Sequence, residues 1–478
     1  MRICLLAEGC YPYVAGGVSS WIQMLIQGMP QHEFIILAIG AEKKQKGVYK
    51  YTIPENVVEI HEFFLDEFLA PQGERKQKKA ILSEKQRQSV LDFLRGELWD
   101  FGELFEMFRE GSEFEANEFL MSDDFLDIII ELAENEYKNV PFKDTFWTIR
   151  SMLIPVLNLL KCEIPKADIY HSVATGYAGL LGAKFHYFTG KPYIVTEHGI
   201  YTREREEEIL KASWVSTYFK KTWISFFTSL CHVAYYEADR IISLFFGAKR
   251  IQIALGAKEK KCSVIPNGIN MQRFAGIPPI SDEPHPLTVG AIIRVVPIKD
   301  IKTMIYSFNL VKEKKPDAIL YLIGPYEEDP EYYQECWELI DNLKCPDIHF
   351  VGRVNITDWL DRLDMVILTS ISEGQPFVLL EAMAAHRPVL ATNVGSCKEI
   401  IDGFPDEFGS AGVVTPVMNP ARIAKGILSI GESSEHMREL AENGYRRVDK
   451  YYRDSDFLKS YENLYQEVVK EWQALDLS

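Results

Sequence analysis

Two near-continuous apolar runs, LDMVILTS at 363–370 and RPVLATNV at 387–394, flank a short loop and a helix-compatible stretch. Runs of this kind are strands buried on both faces. A helix between two such strands makes a crossover, the connection that parallel strands require. This one unit commits the chain to the α/β class.

The loop of that unit opens its helix. Helix N-termini carry unpaired N–H groups and a positive partial charge, so the loop Glu373–Phe377 is suited to an anion. Glu373 and Glu381 lie eight residues apart, a little over two turns at 3.6 residues per turn. Glu381 is therefore expected about two turns into the helix, on the side of Glu373. A carboxylate there can accept bonds from the two hydroxyls of a ribose, and one at the loop can grip sugar hydroxyls. Free N–H groups between them suit a diphosphate. The alternative is a surface helix with two solvated acids, which the Gly, the Pro and the paired strands disfavour.

The same alternation runs along the chain. RICLLA (2–7) and EFIILAIG (33–40) are strands, with a Gly-rich loop and a helix between them. Gly16 and Gly17 at that loop would let backbone approach a ligand, or they form a simple turn. G-x-G-x-x-G is absent there. From about 45 to 160 the pattern is irregular. It includes a basic-polar run, GERKQKKA, and an acidic, aromatic-rich helical stretch from Leu91 to Tyr137. Phe101, Leu104, Phe105 and Phe108 mark one apolar face of it. This segment reads as a helical insertion, structural in role, with a partner surface or an acceptor-channel wall as alternatives. Strands resume with DIYHS and PYIVTE. Thr175 follows the first, His198 follows the second, and His171 and Glu197 lie near their carboxyl ends. Ligands of open parallel sheets bind beyond those ends. TREREEE reads as a solvated charged segment. RIISL and CSVIP add two strands, and the Pro-rich GIPPISDEPHP (276–286) has linker composition, which places a domain boundary there. LTVGAII then precedes Arg294 and Lys299, two cations around a Val-Val-Pro loop that form an anion clamp. AILYLIG and DIHFVGRV follow, and an amphipathic helix (456–475) closes the chain.

The stretch from Glu373 to Glu381 resembles the E-x7-E motif of retaining glycosyltransferases of family 4, which have the GT-B fold. Here Gln375 and Pro376 stand for the usual Phe-Gly, and His386 for a Gly. The resemblance implies two Rossmann-like domains facing a central cleft. The first is an acceptor domain (1–275) with the insertion, the second a donor domain (276–455), and a helix (456–478) crosses back. It implies that His198, Arg294, Lys299 and Glu373 are catalytic. Gly16, Gly17, Gly352, Arg353, Val354, Gly374, Gln375, Pro376, Phe377 and Glu381 would bind the donor, with the base held by the Gly352–Val354 backbone. His171, Thr175 and Glu197 would be acceptor or sugar contacts. Within the family, EGCYPYVAGGVSSWI, TEHGIYTRER, RVVPIKDIKT and EGQPFVLLEAMAAHRPV resemble the branch that builds Pel-type exopolysaccharide with UDP-sugars beside a membrane-bound export complex.

A net charge of -17 argues against nucleic acid as a partner. The 8 Cys form no C-x-x-C pair and read as reduced cytosolic thiols. MRICLLAEGC is too short an apolar run for a signal peptide, and no stretch has the length of a membrane span. A cytoplasmic location is expected, with any membrane contact made through partners. No D-x-D stands in a metal-binding context, so no metal or other cofactor is expected. The expected function is transfer of a sugar from a UDP-sugar to an oligosaccharide acceptor. An epimerase of the same fold, or a non-catalytic subunit of a polysaccharide assembly, are the alternatives.

Overall fold

Residues 1–69, 82–403 and 408–476 are described by the structure, a computed structural model. The chain divides into two compact units. Unit 1 comprises Met1–Ser243, Lys249–Val264 and Tyr461–Ser478; unit 2 comprises Leu244–Ala248 and Ile265–Ser460.

Unit 1 is built on seven strands: β1 (Arg2–Glu8), β2 (Glu33–Gly40), β3 (Val57–Phe64), β4 (Ile169–Ser172), β5 (Tyr193–Glu197), β6 (Arg240–Ser243) and β7 (Cys262–Val264). They form one sheet in the order β3-β2-β1-β4-β5-β6-β7, parallel throughout. The chain winds outward from β1 in one direction, then returns to start the other half at β4. The β1/β4 junction is therefore the switch point at which open α/β sheets bind ligands.

Unit 2 repeats this plan. Its strands are β8 (Thr288–Ile292), β9 (Ile319–Ile323), β10 (Ile348–Gly352), β11 (Met365–Leu368), β12 (Val389–Thr392) and β13 (Gly412–Thr415). Their order is β10-β9-β8-β11-β12-β13, again all parallel. The switch point lies between β8 and β11. Met365, Val366, Ile367 and Leu368 are all at most 1% exposed, which is why that strand reads as a continuous apolar run.

The insertion differs from its sequence expectation at both ends of the scale. Residues 57–64, expected within it, form β3 and pair with β2. This edge strand is only partly buried, so VVEIHEFF lacks the solid apolar run of its neighbours. The stretch expected as helical from Leu91 to Tyr137 is four short helices: Glu84–Arg95, Gly102–Met107, Ala116–Phe119 and Asp123–Asn135. Gly96, at φ 82, ends the first in a left-handed cap, and the Ser122 side chain caps the start of the last. Phe101, Leu104, Phe105 and Phe108 are buried in the same core as Cys4, Leu6 and Ile35 of the sheet. The run GERKQKKA lies outside the described residues.

The Pro-rich segment 276–286 is not a free linker. Ile280 is 5% exposed, the Pro278 carbonyl accepts from Arg387 Nη2 at 2.9 Å, and His285 Nε2 meets Asp364 Oδ1 at 2.8 Å. These contacts fasten the segment to unit 2, whose described residues after unit 1 begin at Ile265. Composition alone gives no view of such tethers.

Candidate functional site

The unit 2 switch point is where its sequence motifs converge. After β8 the chain makes a short turn, Pro297–Lys299. Asp300, at φ 50, then starts the helix Ile301–Lys312 and caps it through Oδ1. After β11, Thr369 Oγ1 donates to the carbonyls of Lys299 (3.0 Å) and Asp300 (3.2 Å). Ile371 N donates to Ile298 O at 2.9 Å. The two loops are thus stitched together by the Thr369 hydroxyl and by backbone, and Lys299 Nζ lies 2.5 Å from Glu373 Oε1. Their side chains are 17% and 12% exposed. The acidic loop and one arm of the anion clamp, 74 residues apart in sequence, share one spot.

The other arm is placed differently. Arg294 Nη1 donates to Glu328 Oε2 at 2.7 Å, and both side chains are largely exposed. Glu328 comes from the loop after β9.

The loop Glu373–Pro376 is held from below. Gly374 O accepts from Ser396 N (2.9 Å) and Ser396 Oγ (3.1 Å). A Cβ on Gly395, at φ +52, would lie 2.2 Å from Glu373 O, so only glycine allows this approach. Gln375 is 7% exposed, and its Oε1 accepts from Asn267 N at 2.6 Å. Its carbonyl oxygen receives Asn267 Nδ2 at 3.4 Å. The Gln375 acceptor is therefore engaged within the protein, and the residue positions the loop. Neither Asn267 nor Gly395 was singled out from sequence as a site residue. The Asn-Gly turn within IPNGIN, residues 265–270, is the available signal for the first.

Pro376 is the N-cap of the helix Phe377–Ala384, with no side-chain cap. Leu379 N donates to Pro376 O at 3.3 Å, and the N–H groups of Phe377 and Val378 are left for another acceptor. Glu381 is the fifth residue of that helix, not two turns in as expected, because the extended Pro376 delays the start. Its side chain is 17% exposed and lies 3.7 Å from Arg273 Nη1. Burial raises its carboxyl above the ordinary range, and Arg273 opposes that. A neighbouring hydroxyl pair would favour the ionised form. Phe377 packs against the unit 2 core.

Gly352 ends β10 at φ +81. Its carbonyl accepts from Gly324 N at 2.9 Å, Arg353 is exposed, and Val354 packs on the core. The loop is open on the Arg353 side.

Unit 1 sorts its candidates sharply. His171 is 0% exposed. Nδ1 meets Tyr465 Oη and Nε2 meets Thr196 Oγ1, both at 2.8 Å. Burial pushes its pKa down to about 3. With both ring nitrogens occupied inside the core, it is not a sugar contact. Glu197 is 2% exposed and accepts from Tyr235 Oη (2.5 Å), Gln252 Nε2 (2.9 Å), Thr175 Oγ1 (3.1 Å) and Tyr201 N (3.4 Å). Burial raises its carboxyl despite those donors. Thr175 and Glu197 therefore serve a buried network, and their assignment as sugar contacts is corrected with that of His171. His198 is different: its Nε2 is buried with no hydrogen-bond partner among the described residues. Its ring lies edge-on to Trp21 at 4.8 Å between centroids, and burial holds its pKa at about 3. It stands neutral and able to form one more hydrogen bond. Gly16 and Gly17 begin the helix Gly17–Gly28, and a Cβ on either would meet nothing within 4 Å. Gly16 has extended backbone, so no strain requires glycine there, and both positions face open space.

Residues 1–260, more than half of the chain, match the model of the family described as domain of unknown function DUF3492. The chain belongs to this family. Residues 283–433 match the family described as glycosyl transferases group 1, so unit 2 carries a group 1 glycosyltransferase domain. Among curated relatives, the uncharacterized glycosyltransferase MJ1178 of Methanocaldococcus jannaschii is 29% identical, over 66% of this chain and 82% of its own. The putative glycosyltransferase EpsD of Bacillus subtilis is 25% identical, over 67% and 85%. Anabaena Alr3699/HepE, solved with UDP and glucose, matches 97% of this chain and 99% of its own, with a TM-score of 0.58 at 14% identity. Sucrose-phosphate synthase of Thermosynechococcus elongatus matches 98% and 99%, with a TM-score of 0.61 at 14% identity. At such identities the structures speak for fold: two parallel-sheet Rossmann-like domains of the GT-B class.

Proposed function

We propose that this chain is a retaining glycosyltransferase that moves a sugar from a UDP-sugar to a growing exopolysaccharide of the Pel type, the role of PelF, without a metal. The observation that carries the proposal is the Lys299–Glu373 pair at the unit 2 switch point, beside an uncapped helix start. In support, UDP is bound in the HepE structures. A relative from Escherichia coli is named as using UDP-Gal.

In this scheme the bond from the sugar C1 to the diphosphate oxygen breaks, and an acceptor hydroxyl bonds to C1 on the same face. The acceptor proton passes to the departing phosphate oxygen, and UDP leaves. No covalent enzyme nucleophile takes part. Negative charge developing on the diphosphate meets Lys299 and the Phe377 and Val378 N–H groups, which are preorganised, and Arg294. Arg294 would exchange Glu328 for phosphate. Glu373 holds sugar hydroxyls and Glu381 the ribose, while the backbone at Gly352–Val354 takes the base. His198 contributes its unpaired Nε2 to a sugar hydroxyl.

The test is thermal shift with UDP-, GDP- and ADP-sugars, UDP-glucose first, with and without EDTA. Ligand at 100 times its dissociation constant adds about 2.7 kcal/mol of stability. Stabilisation by UDP-sugars alone, unchanged by EDTA, is expected. A response confined to GDP- or ADP-sugars, or one abolished by EDTA, overturns the donor or the metal part respectively. Release of UDP with an oligosaccharide acceptor then separates transfer from binding.

A further inference from the structure

The sequence from Ile209 to Tyr236 holds no Asp or Glu, in a chain with 69 of them among 478 residues. At that frequency about four would be expected in such a stretch. Its first half also carries the most exposed aromatic side chains of the described residues. Trp214 is 70% exposed, Tyr218 63% and Leu210 54%.

These side chains are presented rigidly. Val215 and Phe219 follow Trp214 and Tyr218 by one residue each and are buried, at 5% and 4%, in the unit 1 core. Each pair pins the backbone and sends its aromatic partner outward. Trp214 also packs edge-on against Trp223, with centroids 5.5 Å apart. Lys220 and Lys221 begin the next helix, Lys220–Glu237. Lys220 Nζ donates to Leu210 O at 2.5 Å, which leaves its charge uncompensated. Two of the four acids of the preceding helix are paired: Glu207 lies 3.5 Å from Arg203 and 4.0 Å from Lys211, and Glu208 lies 2.8 Å from Arg205; Glu206, one turn before Leu210, is exposed.

We infer that Leu210–Trp223 docks directly onto an anionic lipid bilayer. Trp and Tyr are the side chains that settle at the boundary between headgroups and acyl chains. Lysines beside them are drawn to anionic headgroups. A protein surface would be covered as well by acids as by their absence, whereas an anionic bilayer repels acids. The acid-free segment, with Lys220 and Lys221 beside its exposed aromatics, therefore selects lipid as the occupant. No described helix is long and apolar enough to cross a membrane, so the contact lies on the surface. This docking goes beyond membrane contact through partners and does not depend on the donor site.

The experiment is flotation of the full chain with vesicles of phosphatidylcholine alone and of phosphatidylcholine with phosphatidylglycerol. Binding is expected only with phosphatidylglycerol and is expected to fall at high salt. The double variant Trp214→Ser, Tyr218→Ser should lower partitioning about tenfold or more while leaving the UDP-sugar thermal shift intact. Should that variant fold poorly, Lys220→Glu, Lys221→Glu keeps the aromatics and should lower partitioning about as much. The inference is overturned if wild type ignores anionic vesicles or if folded variants bind like wild type. It is equally overturned if the aromatic substitutions change the solution mass without lipid, which would make the patch a contact between copies.

Discussion

The Lys299–Glu373 pair makes a prediction with opposite signs on one observable. Nζ and Oε1 are 2.5 Å apart, with side chains 17% and 12% exposed. A diphosphate at the unit 2 switch point must share Nζ with Glu373, because an ammonium has three donors and one faces the carboxylate. Lys299→Met removes the cation. A charge-assisted bond is worth about 1.5–3 kcal/mol net, so UDP affinity should fall about 10- to 150-fold. Glu373→Gln removes the competitor. Solvent reaches both groups, so the release is smaller, about 1 kcal/mol, and UDP should bind about fivefold tighter. Transfer from the UDP-sugar should nonetheless fall by about 100-fold or more, since the sugar loses its carboxylate. Isothermal titration with UDP, beside a turnover assay, reads both. If Glu373→Gln weakens UDP as much as Lys299→Met does, the pair is a structural strut and the diphosphate does not sit at Nζ.

Three further outcomes follow from single groups. Glu381→Gln should lose about 2–3 kcal/mol of UDP affinity, as two charge-assisted bonds to ribose weaken. Its melting temperature should hold or rise at pH 7, because burial raises this carboxyl and the folded state gains from losing the ionisation; unchanged UDP binding would remove the ribose role. Gly324→Ala should destabilise unit 2 by about 3 kcal/mol or more. Gly324 sits at φ +146 with a Cβ position 2.1 Å from Ile293 O, a backbone clash that no rotamer relieves; a melt within a degree of wild type would contradict this. Acid should weaken unit 1 through His171 and His198. Both pKa values lie at about 3 when folded, so the unfolded chain takes up protons below about pH 6.5 that the folded chain refuses. Their stabilisation is complete above pH 6.5 and is lost as pH falls toward 3, by about 2 kcal/mol each at pH 5. His171→Gln should flatten the slope of denaturation midpoint against pH, and an unchanged slope would mean that His171 is charged in the fold.

What was legible in the sequence is what buried strands impose on it. β1, β2, β5, β8, β11 and β12 lie inside their sheets, and burial on both faces forces apolar runs that local pattern reveals. β3 and β13 are edges. Val57–Phe64 mixes Glu59, His61 and Glu62 into its run, and Gly412–Thr415 is only four residues. Neither needs the pattern that betrays an inner strand. The break-up of Leu91–Tyr137 into short helices hangs on single positions such as Gly96 and Ser122, while the apolar content that suggested a helix survives as buried core.

The site residues divide along a physical line of the same kind. Lys299 and Glu373 follow β8 and β11, strands paired side by side, so topology alone brings their loops together. His171, Glu197 and His198 also lie at strand ends, and from sequence they look equivalent. What separates them is who else arrives. Tyr465 comes from 294 residues further on to take His171 Nδ1, and Tyr235 and Gln252 close on Glu197, whereas no described residue bonds to His198 Nε2. A buried polar group must find a partner, and the strand that carries it does not record whether that partner is protein or ligand. Position at a strand end therefore nominates a residue, and only long-range packing, of Tyr465 on His171 and of Tyr235 and Gln252 on Glu197, decides which nominees remain free for chemistry.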